Sequence, residues 1–183
     1  MEENFVIYTE MKDFLKLGPD DEARLASLAP VFEKHGPGIT DAFYDALLAY
    51  PKTAAIVDGR VDALKKTHIR WTMSLFAGEY GRPFYEQQYR IGEVHVAQDI
   101  NPEFVEGVMN SLRLGGRQAI ETELGSGMDA VLAHAALVKV LDLALMTINL
   151  AYQDERLTRI SNFTGMSRKL LENLVKRGGK KKK

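Results

Sequence analysis

Two histidines fall on the apolar stripes of two consecutive predicted helices, where an imidazole can act as a metal ligand. The first stripe consists of Val61, Leu64, His68, Trp71 and Leu75. The second consists of Phe84, Gln88, Ile91 and His95. Because spacings of three and four residues place side chains on one helix face, both imidazoles are expected to point inward. Burial favours the neutral imidazole, which binds metals well, so metal ligation and core packing both stay open as interpretations.

Two hydroxyl groups are predicted near the same interior. The inward line of the preceding helix consists of Ile39, Phe43 and Leu47. Tyr44 lies beside that line, and a buried tyrosine needs a partner for its hydroxyl. Thr67 directly precedes His68 and could point into the same space. For both residues a hydrogen bond to a backbone carbonyl is the alternative.

The elements that must position these residues are helices. Helical periodicity covers most of the chain and no hairpin turn joins alternating segments, so the sequence predicts an all-α domain. The predicted helices span 20–34, 39–50, 60–76, 84–98, 102–124, 128–160 and 166–176, with a short segment at 51–57. Asp20 is predicted as a helix N-cap, and HGPG at 35–38 as a break between two helices. Asn101 and Pro102 fit a cap and a first-turn proline.

Composition limits the function classes. The chain has 183 residues, 45% of them hydrophobic, and no cysteine, which excludes thiolate metal sites and disulfides. Six of the 24 basic residues follow Val175, so the remaining 18 face 25 acidic residues. An acidic body argues against nucleic-acid binding. The acidic N-terminus is not a secretory signal, and no apolar run is expected to approach the roughly 20 residues of a membrane span. These features predict a cytoplasmic protein.

Three stretches of the chain resemble the sensor globins, the haem-binding domains of globin-coupled sensors and their single-domain relatives. They are FYDALLAYP (43–51), LKKTHIRWTMSLFAGEYGRPFYEQQYRIGEVH (64–95) and INPEFV (100–105). In that family an Arg-Ile-Gly-x-x-His segment carries the proximal histidine, and the next helix opens at a proline. The resemblance covers roughly residues 8–160. It implies a globin fold with an extra N-terminal helix and two long last helices.

The resemblance also implies roles for individual residues around a haem b. His95 resembles the proximal iron ligand, and Gly92 the small residue that lets the porphyrin or a neighbouring helix come close. Tyr44 resembles the distal tyrosine that donates a hydrogen bond to bound O2, with Thr67 assisting. The apolar walls of the cofactor site would be Phe43, Leu47, Leu64, Trp71, Leu75 and Ile91.

Many sensor globins have an open distal site, and His68 is a departure from that pattern. Its inward position suggests a second iron ligand, so that O2, CO or NO must displace it to bind, which lowers the apparent gas affinity. The alternative is that His68 swings away or only donates a hydrogen bond, and His95 alone holds the iron. The other two histidines are given no role: His35 is expected in a Gly/Pro loop and His134 in helix packing.

The implied function is a sensor of a diatomic gas or of redox state, not an enzyme. Residues 1–160 would form the sensor domain, and residues 161–183 a connector helix and a basic tail. A homodimer through the last two long helices is expected, and both a fused output module beyond residue 183 and a single-domain protein fit the sequence. An electron-transfer or NO- or O2-detoxifying globin and a haem-free helical signalling module remain alternatives.

Overall fold

The computed structural model describes residues 2–178, and these are almost entirely helical. The helices are α1 (Glu2–Phe14), α2 (Pro19–Ser27), α3 (Ala29–Ala49), α4 (Pro51–Val57), α5 (Val61–Ser74), α6 (Arg82–Ala97), α7 (Pro102–Leu124), α8 (Met128–Thr164) and α9 (Arg168–Gly178). No strand occurs among the described residues. The all-α prediction is confirmed, including the N-terminal helix and the two long helices α7 and α8. The predicted lysine tail, Lys180–Lys183, lies outside the described residues.

The predicted break at HGPG is wrong. Helix α3 continues through residues 35–38 with Pro37 inside it, and His35 is therefore a helical residue. Burial of Phe32 and Phe43 on either side of the proline explains why the helix persists, because packing of an apolar face outweighs one lost backbone hydrogen bond. The break occurs instead at Leu28, between α2 and α3.

Of the two predicted helix N-caps, Asn101 is confirmed and Asp20 is wrong. Helix α2 begins at Pro19 with Gly18 as its N-cap, so Asp20 lies in the first turn and is not the cap. Helix α7 begins as predicted, with Asn101 at the N-cap and Pro102 at the first helical position. Proline is well suited to that position because the N–H that it lacks would have no intrahelical partner.

Helix α8 is the central helix of the fold. It packs against α1, α2, α6, α7 and α9. Its fully buried residues include Leu137, Val140, Leu141 and Ala144. By length and composition α8 could cross a membrane, which corrects the expectation that no stretch of the chain is long and apolar enough. Half of its most apolar 18-residue window is buried by the other helices, and the core helix of a globular domain passes the same test.

Gly92 allows α6 to lie unusually close to α8. A Cβ atom on Gly92 would stand 2.6 Å from the Cβ atom of Ala151 and 2.6 Å from the carbonyl oxygen of Ile148. A backbone oxygen cannot move aside as a flexible side chain can. The glycine therefore fixes the distance between the helix that carries His95 and the central helix.

Gly92→Ala is expected to lower the free energy of unfolding by about 1–3 kcal/mol, because the added methyl group forces α6 away from α8. Gly107→Ala is the matched control, since a Cβ atom on this helical glycine of α7 would meet nothing within 4 Å. That control is expected to be neutral or to stabilise by up to about 1 kcal/mol. Urea unfolding measures both changes, and equal effects would contradict the close-packing argument.

Candidate functional site

A cavity of about 820 Å³ lies among α3, α4, α5, α6 and α7, with Ile148 of α8 also in its wall. Its lining is mainly aliphatic and aromatic, and its volume suits a cofactor or a drug-sized molecule. The predicted site residues in its wall are Phe43, Tyr44, Leu47, Leu64, Thr67, His68, Trp71, Ile91 and His95. The structure therefore brings together, on the three helices α3, α5 and α6, most of the residues singled out by spacing and resemblance.

Both histidines of the cavity wall are half-buried, and their surroundings favour the neutral form of each ring. Burial lowers the pKa of His68 to about 4 and lowers the pKa of His95 from its usual value. A neutral imidazole keeps one nitrogen lone pair for a metal. His68 Nε2 and His95 Nδ1 are buried without a hydrogen-bond partner among the described residues. An unpaired buried nitrogen is costly in a packed core, and a group bound at His68 Nε2 would remove that cost.

The donor set does not suit a metal held by the protein alone. No group of three or more His, Cys, Asp or Glu side chains among residues 2–178 could hold a metal ion. A site with two imidazoles in an apolar cavity suits an iron that brings its remaining ligands with it, as the porphyrin of haem does. The residues present therefore fit haem.

Tyr44 lines the cavity with a free donor. Its side chain is buried beside Phe43 and His68, with ring centroids 5.2 Å and 6.1 Å away respectively. Burial raises the pKa of its hydroxyl, which therefore stays protonated. The hydroxyl bonds no other described residue, so it can donate a hydrogen bond to a molecule in the cavity.

Thr67 lines the cavity but bonds its own helix, and two other predicted site residues, Leu75 and Gly92, lie outside the cavity wall. The Thr67 hydroxyl donates to the Ala63 carbonyl oxygen of its own helix, 3.1 Å away. Leu75 is fully buried in the main core and does not line the cavity. Gly92 approaches α8, which agrees with the second of the two roles expected for it, close passage of a neighbouring helix. His134, given no site role, is half-buried on α8, and His35 Nε2 lies 2.7 Å from Glu123 Oε1.

Two polar contacts beside the cavity were not anticipated from the sequence. Thr40, buried on α3, places its Oγ1 3.0 Å from His68 Nδ1. Trp71 Nε1 donates to Oε1 of the buried Gln88, 2.8 Å away, and joins α5 to α6. Thr40 precedes Phe43 and Tyr44 by one helical turn, so its place on the inward face could have been read from spacing.

The cavity also carries positive charge. Arg60, Arg70 and Arg90 are exposed residues in its wall. None of the described residues that line it is acidic. An anionic group bound at the mouth of the cavity would therefore find cations and no opposing carboxylate.

The protein with an empty cavity is expected to lose stability as the pH falls from about 6.5 to about 4. In that window the unfolded chain binds a proton at His68 and the folded chain does not, so stability is complete above the window and is lost below it. The loss from His68 amounts to about 3 kcal/mol at most, and His95 adds to it in the same direction. Urea unfolding at pH 7 and pH 4.5 measures it. His68→Leu should reduce the difference between the two pH values, and an unchanged difference would contradict the burial of a neutral imidazole.

Comparison with known proteins identifies the family. The protoglobin family model matches residues 7–158. The globin domain of a Geobacter sulfurreducens globin-coupled sensor is similar in structure, with a TM-score of 0.74 and 31% identity over 79% of this chain and 96% of that one. The heme-based aerotactic transducer HemAT of Halobacterium salinarum is 27% identical over 114 residues, 61% of this chain and 23% of that protein. The chain thus spans about a quarter of that relative's length.

The family model covers most of the chain, and the structural neighbour has the globin fold predicted from the sequence. Membership in a globin family implies haem as the cofactor, which agrees with the apolar cavity and its two neutral histidines. The resemblance to sensor globins is confirmed by the same comparisons. The chain belongs to the protoglobin family.

Proposed function

We propose that this chain is a haem-binding sensor domain that detects a diatomic gas, O2 in the first instance and CO or NO in the same way, and passes the signal on through its last helices. The observation that carries the proposal is the cavity of about 820 Å³ with two neutral histidines in its wall. The names of the two relatives, a globin-coupled sensor and a heme-based aerotactic transducer, support signalling as the output.

The cofactor proposed is haem b. The chain contains no cysteine with which to attach a haem covalently, as c-type haems require. Bound haem supplies an iron position at which a diatomic gas can coordinate. His95 on α6 would hold the iron, and the three arginines at the cavity mouth would pair with the haem carboxylates.

The distal side of the site is assigned to Tyr44 and His68. The free hydroxyl of Tyr44 would donate to bound O2, whose partial negative charge favours a hydrogen-bond donor. His68 would compete with the gas as a second iron ligand, so gas binding would release it from the site. Phe43, Leu47 and Leu64 would exclude water and slow oxidation of the iron.

Movement at the haem would be passed from α6 to α8 and then towards an output module. Gly92 leaves no space between the helix that carries His95 and the backbone of Ile148, so a displacement of α6 must be passed to α8. Tyr89 of α6 also donates to Asp154 of α8, with 2.5 Å between the Tyr89 hydroxyl and Asp154 Oδ2. Asp154 pairs with Arg168 at the start of α9. Movement at His95 can thus reach the C-terminal helix, the proposed connector.

We expect the chain to form a homodimer through α7 and α8. Four apolar residues around the turn between these helices are exposed: Leu124, Met128, Val131 and Leu132. Val131→Glu should convert the dimer to a monomer in size-exclusion chromatography with light scattering, because it places a charge in the apolar contact. Phe14→Glu, at an exposed apolar position of α1, is the control and should leave the dimer intact. A wild-type monomer at high concentration would contradict the interface.

A signalling role is proposed in preference to catalysis. The described cavity lining contains no carboxylate that could assist O–O bond cleavage. A cytoplasmic location is part of the proposal, since a chain without cysteine suits a reducing compartment.

Absorption spectra of the protein expressed with ample haem test the proposal. A Soret band in the purified ferric protein, and its shift when CO is added to the anaerobic ferrous protein, are the expected results. Protein that binds no haem under these conditions would overturn the proposal. Core packing would then be the interpretation of both histidines. Haem that is bound but unresponsive to O2, CO and NO would favour electron transfer instead.

A further inference from the structure

Thr40 makes a hydrogen bond that selects one nitrogen of His68. Its side chain is 1% exposed, on the buried face of α3 that also carries Phe43 and Tyr44. Its Oγ1 lies 3.0 Å from Nδ1 of His68 on α5. Within residues 2–178 this is the one polar contact of the His68 ring. The contact therefore links the two helices at the histidine itself.

Three aromatic rings hold the imidazole in this orientation. Phe43 and Trp71 lie with ring centroids 5.4 Å and 5.5 Å from that of His68, each tilted by 35°. Tyr44 approaches at 6.1 Å with its ring at 73° to the imidazole. A half-turn of the ring would put Cδ2 in place of Nδ1 and Cε1 in place of Nε2, and so would break the bond to Thr40 between these packed neighbours.

The proton on the neutral ring can be placed by comparing the two arrangements. A neutral imidazole has one N–H donor and one acceptor nitrogen. If the Thr40 hydroxyl donated to Nδ1, the proton would sit on Nε2, which is buried and has no partner. If Nδ1–H donates instead, the unpaired donor is the Thr40 hydroxyl, whose hydrogen can rotate about the C–O bond to suit its surroundings, whereas the N–H of a ring fixed by its neighbours cannot. The arrangement with Nδ1–H donating to Thr40 Oγ1 is therefore favoured, and it leaves the Nε2 lone pair free.

We propose that Thr40 is a positioning residue: it accepts the Nδ1 proton of His68 and so presents Nε2 as the nitrogen able to bind iron. The inference rests on the proposed haem site, in which His68 is the second ligand. Metal-bound histidines generally donate their other N–H to an outer acceptor that fixes the ring's tautomer and direction. Here the acceptor is present in the protein before any metal binds, so His68 is oriented in advance.

The first test uses the haem-free protein, so its result does not depend on haem binding. A two-bond ¹H–¹⁵N correlation spectrum of ¹⁵N-labelled protein at pH 7 reports which nitrogen of each histidine is protonated. The His68 signals are identified by their loss in His68→Gln. The expected result is a protonated Nδ1 and a bare Nε2. A proton on Nε2 in the wild-type protein would overturn the proposal, whether or not the protein binds haem.

The second test uses variants of Thr40 in the haem-loaded protein. Thr40→Val keeps the side-chain shape but removes the acceptor, and should weaken the coordination of ferrous iron by His68 by about 10- to 100-fold. The readout is the fraction of low-spin, six-coordinate spectrum. Thr40→Ser, which keeps a hydroxyl, should restore that fraction.

Thr72→Val is the matched control. Thr72 is also buried and lies one turn after His68 on α5, but its hydroxyl has no partner among the described residues. This change should leave the six-coordinate fraction as in wild type. Equal six-coordinate fractions in wild type and Thr40→Val would overturn the proposal. A six-coordinate fraction that falls in Thr40→Val and recovers in Thr40→Ser would support it.

Discussion

His95→Gly protein is expected to lose stable haem binding, with an affinity more than about 100-fold below that of wild type. Loss of an outer residue that only orients a metal ligand typically costs about 10- to 100-fold. Loss of the ligand itself should cost more. The measurement is the rate at which haem transfers from the protein to an excess of an apoglobin acceptor. Imidazole added to the solution should slow that transfer, because it can occupy the space left by the missing ring.

Two histidines of the same chain serve as controls for this result. His134 is half-buried on α8 and does not line the cavity, and His35 pairs with Glu123 away from the site. His134→Gly and His35→Gly should retain haem as wild type does. If His95→Gly retained haem equally well, His95 would not be the iron ligand and the proximal role would pass to His68.

The positions of the two histidines could be predicted because helix periodicity is a local property. His68 and His95 each follow a line of apolar residues at spacings of three and four, and each lies in the cavity wall. A pattern of this kind needs no knowledge of which helix packs on which. The same reasoning identified Tyr44, whose neighbour Phe43 belongs to a small buried cluster that lines the cavity.

The partners of those residues could not be predicted, because a contact between helices depends on tertiary packing. Thr40 and His68 are 28 residues apart, and nothing local to either position specifies their hydrogen bond. Thr67 was singled out because it is adjacent to His68 in the chain, and Thr40 was not considered. Adjacent residues on a helix point in directions about 100° apart, so adjacency is a poor guide to contact.

The continuity of α3 was missed for a related reason. A proline between two glycines is a strong local signal for a loop, and Pro37 lies in such a segment. The helix continues because Phe32 and Thr40 on the two sides of it are both buried against other helices. This continuity matters for the site, since it places Thr40, Phe43 and Tyr44 on one rigid element.

The polar network that joins α6 to α9 also lies beyond sequence reasoning. Asn4, Tyr89 and Arg168 all bond Asp154, and the first of them is 150 residues away in the chain. Hydrogen bonds from these side chains lower the pKa of the Asp154 carboxyl in spite of its partial burial. An ionised Asp154 would hold the connector helix on the domain by its pair with Arg168.

His68→Leu is expected to convert the ferrous protein from a six-coordinate, low-spin spectrum to a five-coordinate, high-spin one. Leucine places a side chain of similar size between Phe43 and Trp71, but it has no nitrogen that can bind the iron. If His68 occupies the site about 90% of the time in wild type, the apparent gas affinity should rise about tenfold in the variant. Stopped-flow mixing with CO should show the loss of the slow phase that reports dissociation of His68.

His134→Leu controls for the loss of a histidine and should leave the spectrum and the CO kinetics unchanged. A wild-type ferrous spectrum that is already five-coordinate would mean that His68 does not bind the iron. It would contradict both the competition between His68 and the gas and the proposal for Thr40. Gas affinity would then depend on the remaining donor, Tyr44, and Tyr44→Phe should increase the rate of O2 loss. Because its hydroxyl bonds no other described residue, that substitution would remove one hydrogen bond to the gas without breaking a bond within residues 2–178.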